Sequence, residues 1–351
     1  MIYNGPHFFL SNPYYKTPRS TCKLNSDYDC INLSTLEEDY YPRSNYVPLI
    51  PKKDFISLAK GFIIGHDSKG KPIYDNLIDY YRLAFSAMVG TSSERTLSGA
   101  ILPAKTAHVH AVISIAFKEQ SYLLEFTGLC SSLVFDFYMK TTGSTSIIPS
   151  RLAAFPIGID NKYKSALFLR VLLLNCLTRQ YSSLWASSWD HSFLQDNWSL
   201  SDLRLKDFST LSPTWNKNTP LRNYFERRLA LVEIDVITSL ALGLSLEDLE
   251  IMYKIQFPVL QDYEEHTFFD QAGNIVFTSS VGLKGVGVDK KVWESIRNQK
   301  EGETYTHTID PSKSELYGGQ QVTYYAPYTK CDRIEDYRRA WAHFEKVFKD
   351  K

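Results

Sequence analysis

Ser93-Glu94-Arg95-Thr96-Leu97-Ser98-Gly99-Ala100-Ile101-Leu102-Pro103 is a polar turn running into an apolar strand, and soon after it the chain changes its period. Leu123, Phe126, Cys130, Leu133 and Phe137 recur at steps of three and four, the mark of one helix face, so a helix is expected from about 121 to 139. Gly128, Ser131 and Ser132 thin its bulk and would let another element approach closely. Strands gathered before this helix and mostly helices after it read as an α+β fold.

Upstream, residues 1–80 are rich in Pro, Tyr, Asn and Asp. Turn signals such as Gly5-Pro6, Asn12-Pro13 and Ser68-Lys69-Gly70 punctuate short extended runs. Tyr80–Val89 and His108–Phe117 read as strands on either side of the opening stretch. Downstream, Phe155-Pro156 stops a segment, and a composition shift at Gly158–Lys164 marks a boundary, giving units at 1–158 and 159–351. The second reads as mainly helical, with helices at Lys164–Gln180, Leu221–Leu242 and Asp336–Phe348. Gly243 is a stop signal, and Ser245 with Asp248 starts the next helix. Strands at Asn274–Thr278 and Val322–Ala326, enclosing a glycine-rich loop and a short helix around Trp293, make a small β element.

Composition narrows the function. With 39 basic and 39 acidic residues in 351, the chain is no polycation held to nucleic acid by bulk charge. A local basic patch remains compatible with that neutrality. The longest strongly apolar stretch, Ala166–Leu177, contains Arg170 and is too short for a bilayer, so no membrane role is expected. Five cysteines without CxxC spacing, and a start lacking a basic and apolar leader pattern, point to free thiols and a cytoplasmic location.

Few motifs suggest catalysis. His108 and His110, at i and i+2 of a strand, would share a face and with Glu125 or Asp136 offer a metal site. Gly282-Leu283-Lys284-Gly285-Val286-Gly287 has GxxGxG order and no Walker lysine, so it reads as a turn rather than a phosphate cradle. Asn12-Pro13-Tyr14-Tyr15 is superficially like the (Asn/Asp)-Pro-Pro-(Tyr/Phe) motif of amino-methylating enzymes, but lacks one proline and any cofactor loop before it. There is no G-x-S-x-G elbow and no activated cysteine. No catalytic residue is therefore assigned. Polar loops instead supply Lys16, Arg19, Arg43, Asn45, Arg95, Ser144 and Thr145, side chains suited to phosphates and to the edges of guanine and adenine.

The order of segments resembles a known family, the C-terminal half of large S-adenosylmethionine-dependent adenine-specific DNA methyltransferases of the fused type IIG restriction-modification kind. The resemblance is carried by Gly5-Pro6-His7-Phe8-Phe9, Lys16-Thr17-Pro18-Arg19, Asp39–Pro48, Ser93–Leu97, Ala100–Pro103, Ser131–Asp136, Arg227–Leu244, Tyr253–Pro258 and Lys330-Cys331-Asp332-Arg333. It implies a target-recognition domain like that of type I specificity subunits over 1–158, then a family-specific tail. It further implies double-stranded DNA as ligand and a separate catalytic methyltransferase chain as partner. S-adenosylmethionine would sit in that partner and no cofactor in this chain. The expected role is DNA recognition without catalysis alone, in service of site-specific adenine N6-methylation in a phage-defence system. Two other expectations stand beside it: an inactive translated remnant of a broken methyltransferase gene, and a metal-dependent enzyme centred on His108 and His110.

Overall fold

The computed structural model describes residues 1–90 and 92–349, which form a mixed α/β structure of small sheets against a helical layer. Its central sheet is antiparallel, with Arg82–Ser86 between Gly99–Leu102 and Val112–Ala116, and Leu83 faces both Ile101 and Ile115. The outer edge of Gly99–Leu102 would otherwise present unpaired backbone groups. Three groups from elsewhere in the chain close it. Asn175 Oδ1 accepts from Ile101 N at 2.9 Å, Tyr181 Oη donates to Ile101 O at 2.6 Å, and Ser11 N donates to Gly99 O at 2.6 Å.

The helix expected from 121 to 139 is two helices, Gln120–Ser131 and Leu133–Thr141. Ser132 is extended, with φ −74° and ψ 152°, and caps the second helix by accepting from Phe135 N. Serine favours such a cap over a helix interior, and hydrophobic spacing carries no sign of it. Gly128 does admit a close neighbour, since a Cβ there would lie 2.6 Å from Leu167 Cδ1 on the Asn161–Asn175 helix.

The helix expected at Lys164–Gln180 runs Asn161–Asn175, and the one expected from Leu221 starts after an Asn223 cap that the pattern did not mark. Asn223 and Glu226 form a reciprocal box at the start of Tyr224–Ala241, and Gly243, at φ +71°, follows its end. Ser245 and Asp248 repeat the box at Leu246–Gln256. The terminal helix runs Arg333–Lys349, and no helix among the described residues is long and apolar enough to cross a membrane. In the small β element, Ile275–Phe277 pairs with Phe268–Phe269, and Gln321–Tyr325 with Thr304–Thr308, a strand that the pattern alone did not reveal. Gly285 and Gly287 both have positive φ, and a Cβ at 287 would strike the Val276 carbonyl, so this loop needs glycine for a turn.

The boundary expected at 158 does not separate two cores. One apolar cluster runs from Tyr14 through Leu123, Leu167 and Val236 to Phe348. The boundary itself is stitched to the Gln120–Ser131 helix, because Gly158 N and Ile159 N both donate to Glu125. Buried carboxylates tie the layers together. Asp235 accepts from Leu133 N at 2.6 Å, Tyr337 Oη at 2.8 Å and Arg333 Nη1 at 2.9 Å. Arg170, fully buried, is shared by Glu233 and Asp196.

Two outcomes follow from this packing. Gly128→Ala should lower stability to urea by about 1–3 kcal/mol, because the new methyl has no space against Leu167, and Leu167→Ala should recover part of that loss in a double-mutant cycle. Burial would raise the Glu264 pKa, but Arg228 and Arg333 override it and hold the carboxyl down to about 2, against an ordinary 4.5. Its contribution to stability is therefore complete above about pH 4.5 and drains as the pH falls through about 2. The urea midpoint of Glu264→Gln should be flatter across that window than the wild type's.

Candidate nucleic-acid interface

Between Arg43 and Asn76 the chain leaves the core. Tyr46–Ile50 is exposed, the short helix Lys52–Ser57 follows, and Lys60–His66 pairs antiparallel with Pro72–Asn76 as a two-stranded ribbon. The tip is a tight turn in which Asp67 Oδ1 accepts from Lys69 N at 2.8 Å and Lys71 N at 2.9 Å, with Gly70 at φ +76°. At the base, Asp75 accepts from Phe62 N at 2.6 Å and from the Tyr80 hydroxyl, while the Phe62 and Tyr80 rings meet edge to face. Thus the root is fixed and the tip stands free.

This segment carries six Lys or Arg side chains against three Asp. The Asp67 and Asp75 carboxylates are occupied by the ribbon's own turn and root. Lys52, Lys53, Lys69 and Lys71 are exposed and make no ion pair with any described residue. Lys60 lies over the Tyr74 ring at 5.3 Å. None of these lysines was among the residues singled out from sequence. The available signal was the Ser68-Lys69-Gly70 turn with lysines on both sides.

The residues expected to contact DNA divide into two sets. Asn45 and Thr145 are exposed, and Lys16 is half-buried with its ammonium 4.9 Å from the Tyr15 ring centre. Arg19 and Arg43 come together, but on the protein itself. Arg19 Nε binds Asp29 at 2.8 Å and its Nη2 reaches the Lys313 carbonyl, while Arg43 Nη1 binds Glu315 at 2.6 Å. Ser20 N and Oγ complete the clamp on Glu315, and these hydrogen bonds hold its carboxyl down to about 2.

Arg95 and Ser144 face inward. Arg95 is 4% exposed, its Nε bound to Asp136 at 2.6 Å and its Nη2 to the Ser131 carbonyl at 2.8 Å. Asp136 also accepts from the Thr96 and Leu97 amides, so the Glu94–Leu97 turn is built around it. Ser144 is buried and its Oγ donates to the Ser146 carbonyl at 2.6 Å. Both placements correct the expectation of a free surface donor. Arginine and serine in a polar turn look alike in sequence whether the partner is solvent or a carboxylate far along the chain.

The histidine pair also differs from expectation. The strand ends at His108, where Ala107–His108 pairs in parallel with Ile2–Tyr3, so His110 has no place on the same strand face. His108 Nε2 meets Ser114 Oγ at 2.8 Å and its Nδ1 lies 3.0 Å from the Val109 carbonyl. Among the described residues no three His, Cys, Asp or Glu side chains are grouped closely enough to hold a metal.

No family model, no curated protein and no solved structure matches this chain.

The two sets should separate in a stability measurement. Arg95→Ala strands Asp136 without its cation and should cost about 3–5 kcal/mol in urea unfolding, whereas Asn45→Ala should stay within about 0.5 kcal/mol of wild type. A neutral Arg95→Ala would show that the buried pair is not what holds the turn.

Proposed function

We propose that this chain is the DNA sequence-recognition polypeptide of an adenine-specific methylation system, working with a separate catalytic chain that carries S-adenosylmethionine. The observation that carries the reading is the basic ribbon at 60–76, unpaired at its tip and rooted by Asp75 and Tyr80. A two-stranded ribbon has the width to enter a major groove. Lysines without partners can release counterions from phosphates at no cost in broken ion pairs. The segment order resembling the target-recognition half of fused methyltransferases supports the same role, with a domain like that of type I specificity subunits over 1–158.

The division of labour follows from placement. Lys52, Lys53, Lys69 and Lys71 would position the duplex through its backbone, and Asn45 and Thr145, both exposed on loops, would face base edges. Asn45 suits adenine, whose N6 and N7 match a carboxamide in two hydrogen bonds. Arg95, Arg19 and Ser144 act by holding loops in shape. The catalytic partner extrudes and methylates the adenine.

Duplex binding measured by fluorescence anisotropy across a salt series tests this. Lys69→Ala with Lys71→Ala should weaken binding to every sequence alike and lower the salt slope by about 2, roughly one per phosphate contact. Asn45→Ala should instead relax preference at one base pair by about 1–3 kcal/mol. Affinity and slope that ignore the ribbon lysines, in the chain alone and with its co-purified partner, would sink the reading.

A further inference from the structure

A cavity of about 200 Å3 lies between the N-terminal loops and the C-terminal segments. Phe9 and Tyr15 line it as a stacked pair, with centroids 5.2 Å apart and planes at 30°. Phe269 and Tyr263 contribute further aromatic wall. Tyr15 is held in place by its hydroxyl, which donates to the Gly282 carbonyl at 2.5 Å, and a Cβ at Gly282 would collide with that hydroxyl.

Three features mark the cavity as built for a ligand. Glu94 lines it, and its carboxylate accepts no hydrogen bond and makes no ion pair with any described residue. Arg228 lines it too. Its Nε binds Glu264 at 2.9 Å and its Nη1 binds Asp336 at 2.6 Å, but Nη2 is buried with no acceptor. A buried donor left unsatisfied is costly and calls for an explanation. Thirdly, the loop bearing Phe9 is strained at Leu10 and Ser11, with φ +38° and +55°. Ser11 is pinned there by Gly99, Ser131 and the guanidinium of Arg227, so the strain is overdetermined by its surroundings.

We propose that this cavity binds a planar nitrogen heterocycle with a guanine-type edge, Glu94 accepting its two adjacent donors and the free Arg228 N–H donating to its oxygen. The aromatic walls take the ring faces, as stacking on a flat base requires. Adenine, cytosine and uracil edges each set an acceptor against the carboxylate, leaving a buried repulsion. At about 200 Å3 the volume lies below the roughly 300 Å3 at which sites for drug-sized ligands begin. The same edge is offered by a free base or nucleoside and by a guanine extruded from nucleic acid. This site does not depend on the DNA reading of the ribbon, and failure of the lysine variants would leave it standing.

Burial raises the Glu94 pKa to about 7, although Arg95 pulls the other way. Guanine needs the ionised carboxylate, so its affinity should rise with pH through about 7 and level off above.

Calorimetric titration of the full chain with guanosine and adenosine, and with duplexes fully paired or carrying one unpaired guanine, tests the assignment. Saturable guanosine binding, at least about tenfold tighter than adenosine, rising with pH and lost in Glu94→Gln, supports the site with a free ligand. Binding of the unpaired-guanine duplex in preference to the paired one, lost in Glu94→Gln, supports the site with an extruded base. Glu94 makes no hydrogen bond with any described residue, so the melting temperature of Glu94→Gln serves as its folding control. Phe9→Leu removes one stacking ring, leaves the Glu94 and Arg228 groups in place, and should lower affinity several-fold independently. Absence of both binding modes, adenosine equal to guanosine, or binding indifferent to both variants would overturn the proposal.

Discussion

Two buried carboxylates govern how the layers meet. Asp136 gathers Arg95 and the Thr96 and Leu97 amides, which locks the turn before the edge strand Gly99–Leu102 onto the Leu133–Thr141 helix. Asp235 takes the first amide of that same helix and, on its other oxygen, Arg333 and Tyr337 of the terminal helix. An isolated buried carboxylate would be several kcal/mol too costly to keep ionised. Each is tolerated because backbone amides and a guanidinium share its charge. The turn at 94–97, the helix at 133 and the helix at 333 are therefore tied to one another through these two side chains.

That dependence explains why one apolar cluster crosses the expected boundary near 158. A boundary reads in sequence as a change of composition, and Gly158–Lys164 is such a change. Physically the segment is bound back to Glu125 and leads directly into a helix whose Leu167 fills the space above Gly128. Closure of the edge strand Gly99–Leu102 by Asn175 and Tyr181 works the same way. Each of these contacts joins residues far apart in the chain, and a local window contains only one partner.

What was legible follows the same division. The helix start at Ser245 and the stop at Gly243 are local hydrogen-bond problems solved by adjacent residues, so their chemistry can be read directly. The strands at 82–86 and 99–102 were legible from alternation and turns. The break at Ser132 was not, because the apolar face continues through it while the backbone does not. Among candidate site residues, Asn45 and Thr145 stand exposed as loops suggest, but Arg95 belongs to Asp136, and Arg19 and Arg43 belong to a clamp on residues 313–315. Arginine marks a place where charge is needed. It does not say whether the matching charge lies in the same chain.

The ribbon and the cavity stand at opposite ends of this logic. At the ribbon, Lys69 and Lys71 make no ion pair with any described residue, apolar residues such as Ile63, Ile64 and Ile73 are exposed, and only the root is fastened. Such a segment has few buried contacts and sits at the low end of local stability, as surfaces that adapt to a partner do. At the cavity, Tyr15 is held by its hydroxyl on the Gly282 carbonyl, and strain in the loop at Leu10–Ser11 is held by Arg227. There the unmet groups are few and specific: one carboxylate without a donor and one guanidinium N–H without an acceptor. A preformed site with two unmet groups selects by hydrogen-bond geometry, because a wrong ligand leaves them unpaired away from water. A basic ribbon with many unmet cations selects by charge and shape instead, and affinity there is shared over the whole surface. The buried carboxylates make both possible, since they leave the core rigid enough to hold the one and to anchor the other.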